Sequence, residues 1–534
     1  MTAGTVTPYR PPRDARKDRF WQLAHAEWTK FRTVRGWVIA AVLAVVLIDV
    51  VGLVVVHPHV QCGSGSGAAC LPRVPAGPGG EAVNDSFYFV RQPLAGNGSI
   101  TVRVTSLTGV IDTTGGRIGP GQSASPGLHR GVVPWAKAGI IITQSTRPGS
   151  AYAAMMVTGR HGVRMQYDYT GDRAGLTGRV SAAAPRWLRL VRSGDTITGY
   201  DSASGTRWAR VGTARLAGLA GTVQAGLFAA SPLAFTPNFS SYGESGGSAS
   251  PSLATGVLDH VSLRGGRPGR QWAGTEVGAS GANYQGPRIG VRRAGGRFTV
   301  TGAGDIGPVV GGGANTSYDT TTIADHLLGV FLGLIVMIVI AAMFVTAEYR
   351  RGLIRTTLAA SPRRGRLLAA KALVMGLVTF VLGTAAAAVA VIAGLRLSRA
   401  GGQYVLPVSS LTELRVIAGT GLMIALACVL ALSIGVVLRR SVATVAAVTV
   451  AIAVPYILGV AGVLPAGAAE WVLRVSPAAA FAVEQSVPQY SQVIGQYGPP
   501  DYFPLAPWAG LAVLGGYTAV ALGLAAYLLR RRDA

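Results

Sequence analysis

The stretch Glu348-Tyr349-Arg350-Arg351-Gly352 sets a carboxylate, a phenol and two guanidinium groups side by side where a long apolar run ends. Glu348 can pair with Arg350, Arg351 or Arg355 and so fix a corner in the chain, or it can accept a cation from a partner protein. Other candidates for chemistry are sparse. Asp168 and Asp172 are the nearest approach to a carboxylate pair, but they lack a closely packed acidic motif. Glycoside hydrolysis needs two carboxyl groups flanking the cleaved bond, so hydrolysis is not expected. His57 and His59 form an H-x-H beside a proline, which is too few ligands to expect a metal. Cys62 and Cys70 bracket "CGSGSGAAC", a flexible loop that either closes into a disulfide in an oxidising compartment or carries two free thiols. Cys428 lies in an apolar run and reads as a small core residue. No G-x-x-x-x-G-K-[ST] loop occurs, so the chain does not hold ATP by that means.

These groups must be positioned by larger elements, and the composition points to their medium. Of 534 residues, 49% are hydrophobic and only 13% charged. The apolar residues gather in runs longer than a globular core needs, which indicates a membrane protein. Six runs are long enough to span: Trp37–Val56, His326–Thr346, Ala372–Leu395, Leu414–Leu438, Val442–Val463 and Trp508–Leu529. The first follows a 36-residue basic stretch and has no small-x-small site close behind it, so it reads as a retained span and not a cleaved signal. The net charge of +25 does not point to nucleic acid, because many of the cations flank apolar runs. Asp49 sits in the outer half of the first run, where a carboxylate takes a cavity, a partner or hydration at the interface. Asp325-His326 marks the start of the second run, and Pro455 is expected to loosen the fifth.

The distribution of lysine and arginine orients the chain. Residues 1–36 carry eight, 347–371 seven, Arg439–Arg440 two and Arg530–Arg532 three; the opposite short segments hold Arg396, Arg399, Arg415 and Arg474. Twenty against four puts both termini in the cytoplasm and residues 57–325 outside the plasma membrane. That insertion has 24 basic and 13 acidic residues, 24 − 13 = +11, but long translocated domains escape the rule.

Residues 57–82 are rich in Gly, Pro and Ala and read as a tether. Beyond them the hydrophobic period becomes two. "SITVRVTSL" alternates Ile100, Val102 and Val104 with polar residues, and "GVRMQYDY" sets Val163, Met165, Tyr167 and Tyr169 on one face. "DTITGYDSASGTRWARVG" reads as two strands joined by Ser-Ala-Ser-Gly, and further strands are expected near 136–143, 151–158, 186–192, 223–230, 258–263 and 297–302. Many short strands without a helical period predict an antiparallel sandwich over residues 83–318. "WAKAGIIITQSTRPGSAYAAMMVTGRHGVRMQYDY" and "PRWLRLVRSGDTITGYDSASGTRWARVG" resemble concanavalin-A-like jelly-roll domains over about residues 85–235. In such a fold Trp135, Tyr167, Tyr169, Trp187 and Trp208 either offer stacking faces to a glycan or fill the core between the sheets.

Two elements frame the charged corner. "RFWQLAHAEWTKFRTVRGW" gives an amphipathic helix with Phe20, Leu23, Ala24, Trp28 and Phe31 on one stripe, flanked by Trp21, Glu27, Lys30, Arg32 and Arg35. After Gly352, Leu353, Ile354, Thr357 and Leu358 form an apolar ridge on a short helix, and Ser361-Pro362 caps the next one. "AEWTKFRTVRGWV", "TAEYRRGLIRTTLAASPRRGRLLAAKAL" and the six spans resemble a type-2 ATP-binding-cassette (ABC) transporter permease, over residues 18–56 and 323–534. The resemblance implies an elbow helix at 18–35 and an ATPase-coupling helix near 349–360. It also implies a segment at 464–507 that re-enters the outer leaflet as two short helices broken at Ser476-Pro477. The family pattern lacks the roughly 270-residue external insertion.

The expected molecule is therefore an α-helical integral membrane protein of six transmembrane helices. A large all-β jelly-roll domain is inserted between its first and second spans. The resemblance implies the permease of an exporter that moves an amphipathic or lipophilic compound outward. The chain itself would bind no cofactor, with ATP and Mg handled by a separate ATPase, and a second permease chain would complete the pathway. The alternative is a membrane-anchored sensor whose sandwich binds envelope glycan.

Overall fold

The computed structural model describes residues 20–54, 74–113, 127–240, 243–265, 271–278, 288–310, 320–350, 352, 364–460, 464, 466–493 and 503–531. His57, His59, Cys62 and Cys70 lie outside the described residues, as do Arg351, Leu353, Ile354, Arg355, Leu358 and the Ser361-Pro362 cap.

The described helices are α1 (Phe20–Thr33), α2 (Arg35–Val54), α3 (Val330–Arg350), α4 (Arg364–Ala400), α5 (Ser410–Leu438), α6 (Ser441–Val460), α7 (Ala466–Val475) and α8 (Pro507–Arg531). Six helical segments among the described residues are long and apolar enough to cross a membrane: α2, α3 with the short 3-10 turn before it, α4, α5, α6 and α8. They overlap the six apolar runs of the sequence, because a backbone in hydrocarbon has to satisfy its own hydrogen bonds. Most of these helices cluster after the β region, and α2 alone precedes it. Their shared core includes Ile48 of α2, Met337 and Phe344 of α3, Met375 and Val391 of α4, Met423 and Cys428 of α5, and Leu514 of α8. Ser409 caps α5 by accepting from the Thr412 N–H at 3.2 Å, and Arg439 ends it in the left-handed region at φ 57°. α7 stops at Ser476, and a 3-10 helix (Pro477–Glu484) begins on the proline, so the break falls where the sequence has it.

The β region is a sandwich of two antiparallel sheets. One has the order 209–215, 196–202, 186–193, 98–112, 252–264, 297–302, 290–294, with 128–130 added beside 98–112. The other runs 273–277, 87–95, 222–230, 137–143, 152–158, 163–167, 171–174. Alternating residues meet between them: Ile100, Val102, Val104, Leu188 and Leu190 from the first, Ile140, Ile142, Met155 and Met165 from the second. The strands Lys137–Thr143 and Tyr152–Thr158 are buried at every position, so the second sheet is covered on both faces. On its outer face Phe89, Ile141, Met156 and Phe228 pack with Val83 and Ile306, which belong to a two-stranded ribbon, 83–85 paired with 306–308.

This outer face explains one departure from the periodic reading. Val163 and Met165 enter the core between the sheets, with Tyr167 packed beside it, but Tyr169 joins the cluster on the other side. The strand ends at Tyr167, and Asp168 (φ 41°) and Tyr169 (φ 57°) turn the chain through left-handed conformations. The period of two stops at that turn, and Tyr169 changes face.

The sandwich rests on one end of the helical bundle. Thr320-Thr321 pairs in parallel with Tyr404-Val405 in the α4–α5 connection. Val74, Ala82 and Val309 pack on Leu406, with Tyr404 and Val487 against them. The Ser491 hydroxyl donates to Asp172 at 2.5 Å, and the buried Gln492 amide donates to the Tyr169 carbonyl.

Candidate functional site

At the other end of α3 and α4, three helices bring two acids and two lysines together. Glu27 and Lys30 lie one turn apart on α1, Glu348 is in the last turn of α3, and Lys371 is in the third turn of α4. Lys371 Nζ is 2.8 Å from Glu27 Oε2 and 2.6 Å from Glu348 Oε1. Lys30 Nζ closes the ring at 2.9 Å from Glu27 Oε1 and 3.1 Å from Glu348 Oε1. Charges therefore alternate around a neutral quartet.

Each acid has a structural reason for its place. The face of α1 that carries Ala24 and Phe31 packs inward, so the intervening Glu27 is carried in with them and is only 2% exposed. Phe31 and Trp37 lie against Phe344 of α3, with Trp37 edge-on at 5.1 Å. Lys371 runs over the Phe344 ring at 5.1 Å before reaching the carboxylates. Buried charges of this kind persist only when paired and hydrogen-bonded. At Lys30 burial works against the charged form, but hydrogen bonding to Glu27 and the charges of Glu27 and Glu348 outweigh it, so its pKa is raised.

Of the partners expected for Glu348, Arg350 is not the one used, and Arg351 and Arg355 lie outside the described residues. The acid turns inward to lysines on two other helices because α1 and α4, which pack on each other, both reach the end of α3. Its second oxygen, Oε2, is buried without a hydrogen-bond partner. Gly352 follows in the left-handed region at φ 68°, so the chain bends there as expected from a glycine. Tyr349 lies under the Arg439 guanidinium at 5.2 Å, tying α3 to the end of α5. Arg364 donates to the Leu529 carbonyl at 2.7 Å, tying the start of α4 to α8.

Of the residues expected on an elbow helix, Trp21 and Trp28 are exposed on α1, and Phe31 is buried and stacks beside Trp28 at 6.3 Å. Lys371 was not singled out by sequence reasoning. The signal available for it was a lysine early in a long apolar helix, since a buried lysine needs a partner.

The remaining candidates stand apart from this corner. Asp49 Oδ1, near the end of α2, is buried without a partner. Asp172 is held by Arg164, by Gln166 at 3.3 Å and by Ser491, while Asp168 accepts from the Tyr152 N–H at 3.2 Å. Burial pushes the Asp168 carboxyl up to about 6. Both carboxylates are spent on structural bonds.

Trp135 and Tyr169 are 2% and 1% exposed, so neither has a face to offer a sugar. Trp135 stacks on His161 at 4.0 Å, and the Tyr169 hydroxyl donates to Asp85 at 2.6 Å. Trp187 and Trp208 are partly covered by Arg103 and Arg189, at 5.7 and 3.9 Å from the rings, and Tyr167 is half-buried. Among the described residues no group of three or more His, Cys, Asp or Glu could hold a metal ion.

The ABC-2 family transporter protein model matches residues 193–534, nearly two thirds of the chain and all five of the later apolar helices. The chain belongs to the ABC-2 transporter family. It is thus a membrane protein and a permease component of an ABC transporter, a role that implies an ABC ATPase partner in general. No curated protein matches the chain.

Solved structures resemble parts of it. A functionally unknown protein from Saccharomyces cerevisiae is 15% identical, over 33% of this chain and 72% of that one, with a TM-score of 0.20. The GH43 protein BlXynB from Bacillus licheniformis is 18% identical over 29% of this chain and 26% of its own, with a TM-score of 0.16. Scytalido-glutamic peptidase is 6% identical over 42% of this chain and all of its own, with a TM-score of 0.23. TM-scores of this size carry no assignment of fold or activity.

Proposed function

We propose that the chain is the membrane-spanning subunit of an ABC exporter that moves an amphipathic or lipophilic compound outward. A second permease chain completes the pathway, and the partner ATPase handles ATP and Mg. The chain crosses the plasma membrane six times with both termini in the cytoplasm. The sandwich, a jelly roll of the concanavalin-A-like kind, lies outside between the first two spans.

The observation that best supports this reading is the quartet Glu27, Lys30, Glu348 and Lys371. It locks the elbow helix to the end of the second span and the start of the third, beside the segment 349–360. A push on that segment is then delivered to three helices together and not absorbed in a loose loop. Alternating access further requires a substrate with different affinities for the two states.

The test is co-purification. The tagged chain should bring down an ABC ATPase, and Leu358→Asp should still insert in the membrane but lose both the ATPase and transport. An unpaired carboxylate in the proposed contact costs roughly 1–3 kcal/mol or more. Normal ATPase capture and transport by that variant would mean that the stretch is only a basic loop at the membrane.

A further inference from the structure

An apolar groove of about 670 Å³ runs along the lipid-facing side of the elbow helix, between α1, α2 and α4. That volume falls within the roughly 300–1,000 Å³ range of small-molecule sites. Its walls are Ala24 and Trp28 of α1, Val38 and Val42 of α2, and the α4 row Leu373, Leu377 and Val381. Leu377 and Val381 are 61% and 56% exposed, so no part of the described chain covers this wall. From Leu373 to Leu382 the α4 wall runs ten residues, or nine steps of about 1.5 Å, about 13–14 Å in all. One leaflet of a bilayer has a hydrocarbon depth of roughly 15 Å, half of the ~30 Å core.

We infer that this groove is a binding site for one anionic phospholipid, with an acyl chain between α1, α2 and α4 and the headgroup on Arg32 and His25. The two basic side chains of the lining, His25 and Arg32, are both on α1, and the α2 and α4 walls are wholly apolar. Such a slot forfeits dispersion contacts unless apolar material fills it, and within a bilayer that material is an acyl chain. The charge of the rim selects the headgroup. Among the described residues the acids of this corner are Glu27 and Glu348, and both are engaged by Lys30 and Lys371. Neither is left to neutralise Arg32 at the groove or Arg35 at the start of α2. The exposed Trp21 and Trp28 set the helix at headgroup level, where indoles favour the boundary between water and hydrocarbon. This inference rests on the membrane location alone and not on the exporter reading, so loss of transport does not bear on it.

The experiment is native mass spectrometry of the full chain in detergent with equal amounts of dioleoyl phosphatidylglycerol and dioleoyl phosphatidylcholine. The wild type should retain one lipid per chain and prefer phosphatidylglycerol. Leu377→Trp, which fills the slot, should lose it. Arg32→Gln should keep a lipid but with its preference lowered about fivefold, the contribution of one cation at an anionic headgroup. Val520→Trp, on an exposed face of α8, should match the wild type. If Leu377→Trp does not fold, Val381→Trp on the same wall carries the same expectation. Retention of the lipid by a folded filling variant, equal binding of the two lipids by the wild type, or equal loss in Val520→Trp would overturn the assignment. So would a lipid that binds only after residues 1–19 are removed, because that segment and not a lipid would then be the occupant.

Discussion

A single buried lysine decides what the charged corner is. Without Lys371, Glu27 and Glu348 would share Lys30 alone, and that side chain is 40% exposed and partly hydrated. Lys371→Met should therefore destabilise the chain by about 3–5 kcal/mol, the cost of leaving buried charge unpaired. The measurement is thermal unfolding in detergent. Adding Glu27→Gln should recover part of the loss, with a coupling in the cycle of roughly 0.5–3 kcal/mol. Additive losses would mean that the two side chains are not paired. Only part of this was legible beforehand. Glu348 stood out at the mouth of an apolar run, but Glu27, which reaches the same lysine, is 344 positions from it. No local rule of spacing connects groups that far apart.

Among the helices, α2 and the short turn that leads into α3 are held closer than ordinary side chains allow. A Cβ on Gly52 would lie 2.1 Å from the His326 carbonyl oxygen, and one on Gly329 would lie 2.2 Å from that of Ile48. Backbone cannot step aside as a side chain can, so Gly52→Ala must push the first apolar helix away. Overpacking of this kind costs typically ~1–3 kcal/mol. Gly516 on α8 makes the comparison, because a Cβ there meets nothing within 4 Å. Gly516→Ala should instead stabilise its helix by roughly 0.5–1 kcal/mol. Opposite shifts of the unfolding temperature for the two variants are the expected result, and a neutral Gly52→Ala would contradict the close approach. The helices themselves were readable from apolar length. The strands were readable from alternation wherever it ran unbroken, as in Ile100, Val102 and Val104. Alternation misplaces Tyr169 because Asp168 and Tyr169 are both left-handed, and neither is a glycine that would signal a turn.

For the molecule as a whole, the sandwich is joined to the helices by more than its two connections. Leu406 receives Val74, Ala82 and Val309, Gln492 holds the Tyr169 turn, and Thr320-Thr321 pairs with Tyr404-Val405. Leu406→Asp combined with Gln492→Ala should loosen this joint while leaving both parts folded. Hydrogen exchange should then speed up at 83–85, 306–308 and 320–321 and stay unchanged in the core strands 137–143 and 152–158. Unaltered exchange at the ribbon would mean that the sandwich hangs from its connections alone. A firm joint gives the segments 404–406 and 485–493 a rigid neighbour, so rearrangement of the helices at that end has to move the sandwich or break these contacts.

The sequence by itself determined the membrane class, the six apolar runs, the β region and the charged stretch, because each is written in neighbouring residues through length, period and charge. The kinship of the later helices was likewise present in the short motif around residues 341–373. Only the tertiary structure decided the pairing of Glu27 and Glu348 with Lys371, the burial of Trp135 and Tyr169, the groove beside α1 and the seat of the sandwich on the bundle. Each of these depends on which surfaces meet across hundreds of residues, and packing resolves that only when all the apolar faces find cover at once.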